Sequence, residues 1–250
     1  MPASRGRRVA TIGRDGRGGA GERAVALPTL TPFDGVRLEP HGDYDAVDFV
    51  DRDFTGHDAS DARFLECRLQ RCCLDGASLR RARLVESMLA DCRAASVDLA
   101  DSTWRESTIS GGRLGAVTLA GATWTGARVR GAKLGFVNLA GATLEDVVFE
   151  ACEIGGLDLR AARARSVRFV DCTIDELNVA GATLARVDLT GARLRSLIGV
   201  ESLRGAIVSP DQLHDLASLL AAELGIEVRA GDPEDGAGAV RRTLEEEPER

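Results

Sequence analysis

The chain has 250 residues, 44% of them hydrophobic and 4% aromatic, with a formal net charge of −7. This length allows one or two domains, no apolar run reaches the ~20 residues of a membrane span, and no hydrophobic segment suits a signal peptide. Six cysteines without a Cys-x-x-Cys pair argue against a zinc site, and reduced thiols without an export signal point to the cytoplasm.

Residues 1–26, rich in Arg, Gly and Ala and without periodicity, read as a disordered tail. Residues 27–46, with Pro28, Pro32, Phe33, Val36 and Leu38, read as an N-terminal cap. The next segment, 47–208, carries the main signal. Every fifth residue from Phe49 to Leu194 is apolar: fifteen Leu, five Phe, three Ile, three Ala, two Val and two Trp. Two residues ahead of each, from Val47 to Ala192, twenty-six of thirty positions hold Ala, Val, Cys, Ser or Gly.

A period of five fits neither a helix at 3.6 nor a strand at 2. It requires a backbone that turns a corner every five residues. With corners of about 90°, four pentads close a coil and residues twenty apart stack. Trp104 and Trp124, Cys72 and Cys92, Cys152 and Cys172, and Phe149 and Phe169 are so spaced. The apolar register fills the interior, the small register sits where the chain bends inward, and the other three positions face water. Cys67, Cys72, Cys92, Cys152 and Cys172 occupy the small register and read as small buried hydrophobes, with Cys73 beside it. Arg52 and His57 occupy it too, and are expected to bend outward from an imperfect first coil.

The pentads Val97-Asp98-Leu99-Ala100-Asp101, Val137-Asn138-Leu139-Ala140-Gly141 and Val187-Asp188-Leu189-Thr190-Gly191 carry the pattern Ala-(Asp/Asn)-Leu-X-X. Over residues 44–208 the chain resembles the pentapeptide-repeat family. The resemblance implies an all-β solenoid, a right-handed quadrilateral β-helix with short parallel ladders on four faces. At ~4.8 Å per strand, about seven coils give a rod roughly 35 Å long, and its ends need caps.

After Leu194 the register breaks, and Leu203 and Val208 revive it out of phase. Ser209-Pro210-Asp211-Gln212 is a capping-box signature. Leu213, Leu216, Ala217, Leu220 and Leu224 then form one apolar stripe of a short C-terminal α-helix, stopped by Gly225. The segment 209–229, with a short strand at Ile226 and Val228, is expected to cap the last coil and to join two chains as a homodimer through that stripe. Residues 230–250 read as a disordered acidic tail.

No motif points to catalysis, a metal or a cofactor: the three His lie in no triad, and there is no P-loop, dinucleotide fingerprint or HExxH. A rod surface lacks the concave dry pocket that tunes catalytic groups, so function is expected at the surface, in a non-catalytic binding protein. Three outward features stand out. Glu66, Glu86, Glu106, Gly126 and Asp146 recur every twenty residues, a row of stacked like charges with Arg63, Arg83 and Arg105 at hand to neutralise it. Asp48, Asp51, Asp53, Asp58 and Asp61 cluster on the first coil with only Arg52 nearby. Residues 107–144 hold Arg113, Arg128, Arg130 and Lys133 and no acid, a basic belt with Phe136 beside it. Four scattered cations are too few for a nucleic-acid interface.

Arg52-Asp53-Phe54-Thr55-Gly56 near the start and Ser202-Leu203-Arg204-Gly205-Ala206 before the helix are similar to the mycobacterial subgroup that protects DNA gyrase from fluoroquinolones. That resemblance implies a rod-shaped dimer that binds a type II topoisomerase in place of DNA through the acidic surface. The near-neutral repeat (twenty basic and twenty-one acidic residues over 47–196) and the basic belt depart from it. The alternative is a scaffold or interaction module that meets an unrelated protein through the belt and Phe136.

Overall fold

The computed structural model describes residues 27–227; the tails expected over 1–26 and 230–250, and Val228, lie outside the described residues. The chain winds as a β-solenoid of about nine turns with stacked parallel sheets and one short helix. Twenty-nine of the thirty central apolar residues are buried, and only Leu194, at the end, is half-exposed. The small register lies against them, with Ala62, Cys67, Ala122, Val147 and most of its other members buried.

At most corners the backbone turns left-handed two residues after the central residue. Among the described residues, seventeen other than glycine adopt a positive φ, including Asp51, Asp61, Glu66, Arg71, Arg81, Glu86 and Glu106. This region disfavours side chains that bear a Cβ. It persists because neighbouring coils over-determine it: Glu66 N donates to Val85 O, and Glu86 N to Arg105 O, each at 2.9 Å.

Adjacent coils pair twenty residues apart, as Trp104 on Trp124 and Phe149 on Phe169. The ring centroids of these pairs lie 5.2 and 5.0 Å apart. All six cysteines are free thiols, and burial pushes Cys67 up to about 11, so it remains an inert thiol at neutral pH.

Two expectations need correction. The rod has about nine turns rather than seven, because the entering and leaving segments add rungs: Thr31–Pro32 pairs with Val47–Val50, and Ala206–Ile207 with Val187–Asp188. Three sheets form, of ten, eight and seven strands, rather than four. In chain order, the first face (Phe49, Leu69, Leu89) and fourth face (Phe64, Leu84, Trp104) are regular ladders. The third face (Ala59, Leu79, Leu99, Leu119) turns tightly instead: Ala122 N reaches back to Leu119 O at 3.0 Å around Gly121, whose φ is 70°. A tight turn bonds to itself and leaves less backbone for a ladder. The second face starts the same way at Gly56 and Gly76, then straightens into six-residue strands from Arg93–Asp98 onward.

Arg52 and His57 do not bend out to solvent. An Arg52 Nη donates to the Phe33 carbonyl, and its guanidinium lies 5.5 Å from the Phe33 ring centre. His57 Nδ1 accepts from Leu38 N at 3.3 Å. The large residues in the small register thus tie residues 33–38 over the open end of the first coil.

Candidate partner-binding surface

The surface follows the same twenty-residue arithmetic as the core. Among the described residues, eight ion pairs join residues twenty apart, on consecutive coils. Three involve the aspartate cluster: Asp48 meets Arg68 at 2.5 Å, Asp51 meets Arg71 at 2.6 Å and Asp61 meets Arg81 at 2.7 Å. The expectation that this cluster has only Arg52 nearby is therefore wrong, because its arginines lie one coil on. Hydrogen bonds from Arg71 and Arg81 hold Asp51 and Asp61 below the usual carboxylate range. Asp53 and Asp58 are held low by the hydroxyls of Thr55 and Ser60.

The turn positions give a controlled comparison. On the first face they read Asp51, Arg71, Asp91, and on the third Asp61, Arg81, Asp101. Charge alternates in both. On the fourth face they read Glu66, Glu86, Glu106, then Gly126 and Asp146. Among the described residues none of these four carboxylates has an ion pair within 4 Å: Arg63 turns to Asp43 at 3.4 Å, and neither Arg83 nor Arg105 reaches the row. The Glu106 carboxylate leans across Gly126, where a Cβ would collide with it, toward Asp146. Glu86, Glu106 and Asp146 are exposed and Glu66 is half-exposed.

The basic belt divides at a corner. Arg113 and Lys133 pair on the second face, with Phe136, 45% exposed, on the same strand as Lys133. Arg128 and Arg130 lie on the first face. The belt is also less free than its own stretch of sequence indicates: Arg130 meets Glu150 at 3.2 Å and Lys133 meets Glu153 at 2.9 Å, both acids from the next coil. Sequence reading missed Arg93, which pairs with Arg113 one coil earlier. Stepping back twenty residues from Arg113 would have found it.

The helix, α1, spans Pro210–Glu223, with Ser209 and Gln212 forming the capping box. Gln212 Nε2 donates to Leu189 O and Ala192 O, each at 2.7 Å, which closes the last coil. Of the expected stripe only Leu216 is buried; Leu220 is half-buried, while Leu213 (52%), Ala217 and Leu224 (73%) are exposed. A cleft of about 620 Å³ lies between α1 and the last coils, lined in part by Arg193, Leu194, Asp211, Asp215 and Leu216. Among the described residues no helix is long and apolar enough to cross a membrane, and no group of three or more His, Cys, Asp or Glu could hold a metal.

A search of curated proteins finds no match. Among solved structures, HetL, a pentapeptide repeat protein involved in heterocyst differentiation regulation from a Nostoc cyanobacterium, is 22% identical, with 69% of this chain and 92% of that chain covered and a TM-score of 0.37. A trypsin-treated QnrB1, a plasmid-mediated fluoroquinolone resistance protein, is 23% identical, with 75% and 100% covered and a TM-score of 0.37. Full-length QnrB1 is 19% identical, with 74% and 100% covered and a TM-score of 0.22. The model of the pentapeptide repeats matches in eight copies over residues 46–81, 62–103 and 113–150. This match lies on coils that carry the five-residue register, so residues 46–103 and 113–150 of this chain carry pentapeptide repeats.

Proposed function

We propose that the protein is a non-catalytic binder that presents a duplex-like acidic surface to a type II topoisomerase such as DNA gyrase, modulating it or protecting it from inhibitors such as quinolones. The supporting observation is the uncompensated Glu66–Glu86–Glu106 row, continued by Asp146, in a rod whose equivalent rows alternate in sign. Stacked like charges destabilise a sheet, and a cationic DNA-binding groove would relieve that repulsion. Asp53 and Asp58 add acids on the second and third faces of the first coil, whereas Asp48, Asp51 and Asp61 contribute less field because arginines face them. Two chains joined through Leu213, Ala217, Leu220 and Leu224 would set two such rows end to end; Leu216 belongs to the rod-facing side of the helix.

The test is a gyrase supercoiling and quinolone-induced cleavage assay over a wide protein range. The expected outcome is a dose-dependent change that Glu86→Arg weakens. Arginine suits that left-handed position, since Arg71, Arg81 and Arg186 occupy its equivalents with φ of 53–55°. No change in either reaction at any dose would sink the reading. The rival, an interaction module using Phe136 and the belt, would be favoured if the protein recovers another partner, and Phe136→Ser loses it, while gyrase is never captured.

A further inference from the structure

The rod carries a second row that breaks its own rule of compensation. On the second face Arg93, Arg113 and Lys133 pair on three successive coils. Lys133 has Glu153, but among the described residues neither Arg93 nor Arg113 has an ion pair. Both are exposed, on a sheet face whose next column is nearly bare: Ala95, Gly115, Gly135 and Gly155 follow one another, each glycine so close to the carbonyl below that no Cβ fits. Phe136 stands at the far side of that floor, its ring lying over Gly156. This face is flat, cationic and uncovered. The acidic row stands at the turn out of the fourth face and the cationic row opens the second, so the two rows flank the first face.

Both rows share one pitch, because each step is one coil of the same solenoid, ~4.8 Å. We infer that the second face docks the fourth face of another copy of this chain, with Arg93, Arg113 and Lys133 set against Glu66, Glu86 and Glu106. A second rod meets all three cations in register automatically, whereas a partner without that repeat can oppose only some of them. Each row relieves the like-charge repulsion of the other, and the bare floor lets the opposing side chains approach closely. The contact uses different patches on the two copies, so it does not close and rods add laterally. It is separate from any end-to-end contact through α1, and it competes for the acidic row with any other partner.

The test uses the full chain carrying Leu224→Glu, which removes association through the helix. Sedimentation velocity is measured across a wide concentration range at low and high salt. The expected result is concentration-dependent association at low salt that high salt disperses. Arg113→Glu and Glu86→Arg should each weaken it about tenfold, and an equimolar mixture of the two variants should regain it, because the reversed charges meet at the centre of the two rows. A single species at every low-salt concentration, association unaltered by Arg113→Glu, or a mixture no better than its components would each overturn the inference. None of these readouts involves a topoisomerase, so their failure is distinct from failure of the function proposed above.

Discussion

Trp104 and Trp124 stack in adjacent coils with ring centroids 5.2 Å apart, yet only one indole N–H is satisfied. Trp104 Nε1 donates to Ser102 Oγ at 2.9 Å. Trp124 Nε1 is buried without a partner among the described residues, because the position equivalent to Ser102 is Ala122. Ser102 also donates to Leu99 O at 2.6 Å, and the equivalent carbonyl, Leu119 O, stands ready one coil on. Ala122→Ser should therefore stabilise the protein by about 1 kcal/mol and raise Tm by about 2–4 °C. A calorimetric scan showing no rise, or a fall, would mean that the coil cannot admit the hydroxyl.

Asp158 is 4% exposed, and burial works to raise its pKa. Its bonds to the Arg160 guanidinium, at 2.7–3.0 Å, outweigh burial and hold it below the ordinary value. A carboxylate depressed in the folded state stabilises above its unfolded pKa of about 3.9, and that stability is lost as pH falls through the folded value. Asn138 and Asn178 fill the same position on the neighbouring coils and make the same bond to the amide two residues on. Asp158→Asn should thus keep the bond to the amide but lose the Arg160 contribution at pH 7, and flatten the loss of stability below pH ~4. Melts of both proteins from pH 7 to 2.5 would show parallel acid limbs if this carboxylate has no such role.

Gly135 on the second face would place a Cβ against the Gly115 carbonyl oxygen. Its φ is not left-handed, so the usual gain from replacing glycine with alanine would otherwise apply. The collision reverses the sign, and Gly135→Ala should destabilise by about 1–3 kcal/mol, read as a lower urea midpoint.

Leu216, 8% exposed, faces the rod from within α1, whereas Leu224, 73% exposed, sits at the C-terminal end of the helix. Leu224→Glu should convert a light-scattering dimer to a monomer with little change in melting. Leu216→Glu should instead loosen the helix from the rod and expose the last coil. A dimer that survives Leu224→Glu places the contact elsewhere.

The five-residue register made the core legible, down to the stacked tryptophans, because a buried position tolerates few residue types. The pairing of surface charge was equally present in the sequence but needed a different ruler. Arg71 answers Asp51, and Glu153 answers Lys133, across twenty residues. Counting charge within contiguous stretches hides both partners. The bridging role of Arg52 and His57 was not legible, since nothing in the repeat says where the chain before it folds back. The straightening of the second face after Gly76 is half-legible. Ser96 replaces a left-handed glycine there, yet Asp91 and Asp101 turn left-handed without one.

The ion pairs that link residues twenty apart impose a rule on length. Adding or removing five residues would keep every central residue buried, so the core would accept it. Downstream of the change, however, each surface row would move to the next face, and Arg71 would no longer stand above Asp51. Only a change of one whole coil preserves both. The interior of this molecule counts in fives and its exterior in twenties, so homologues that differ in length by a single pentad would share a core and present different surfaces.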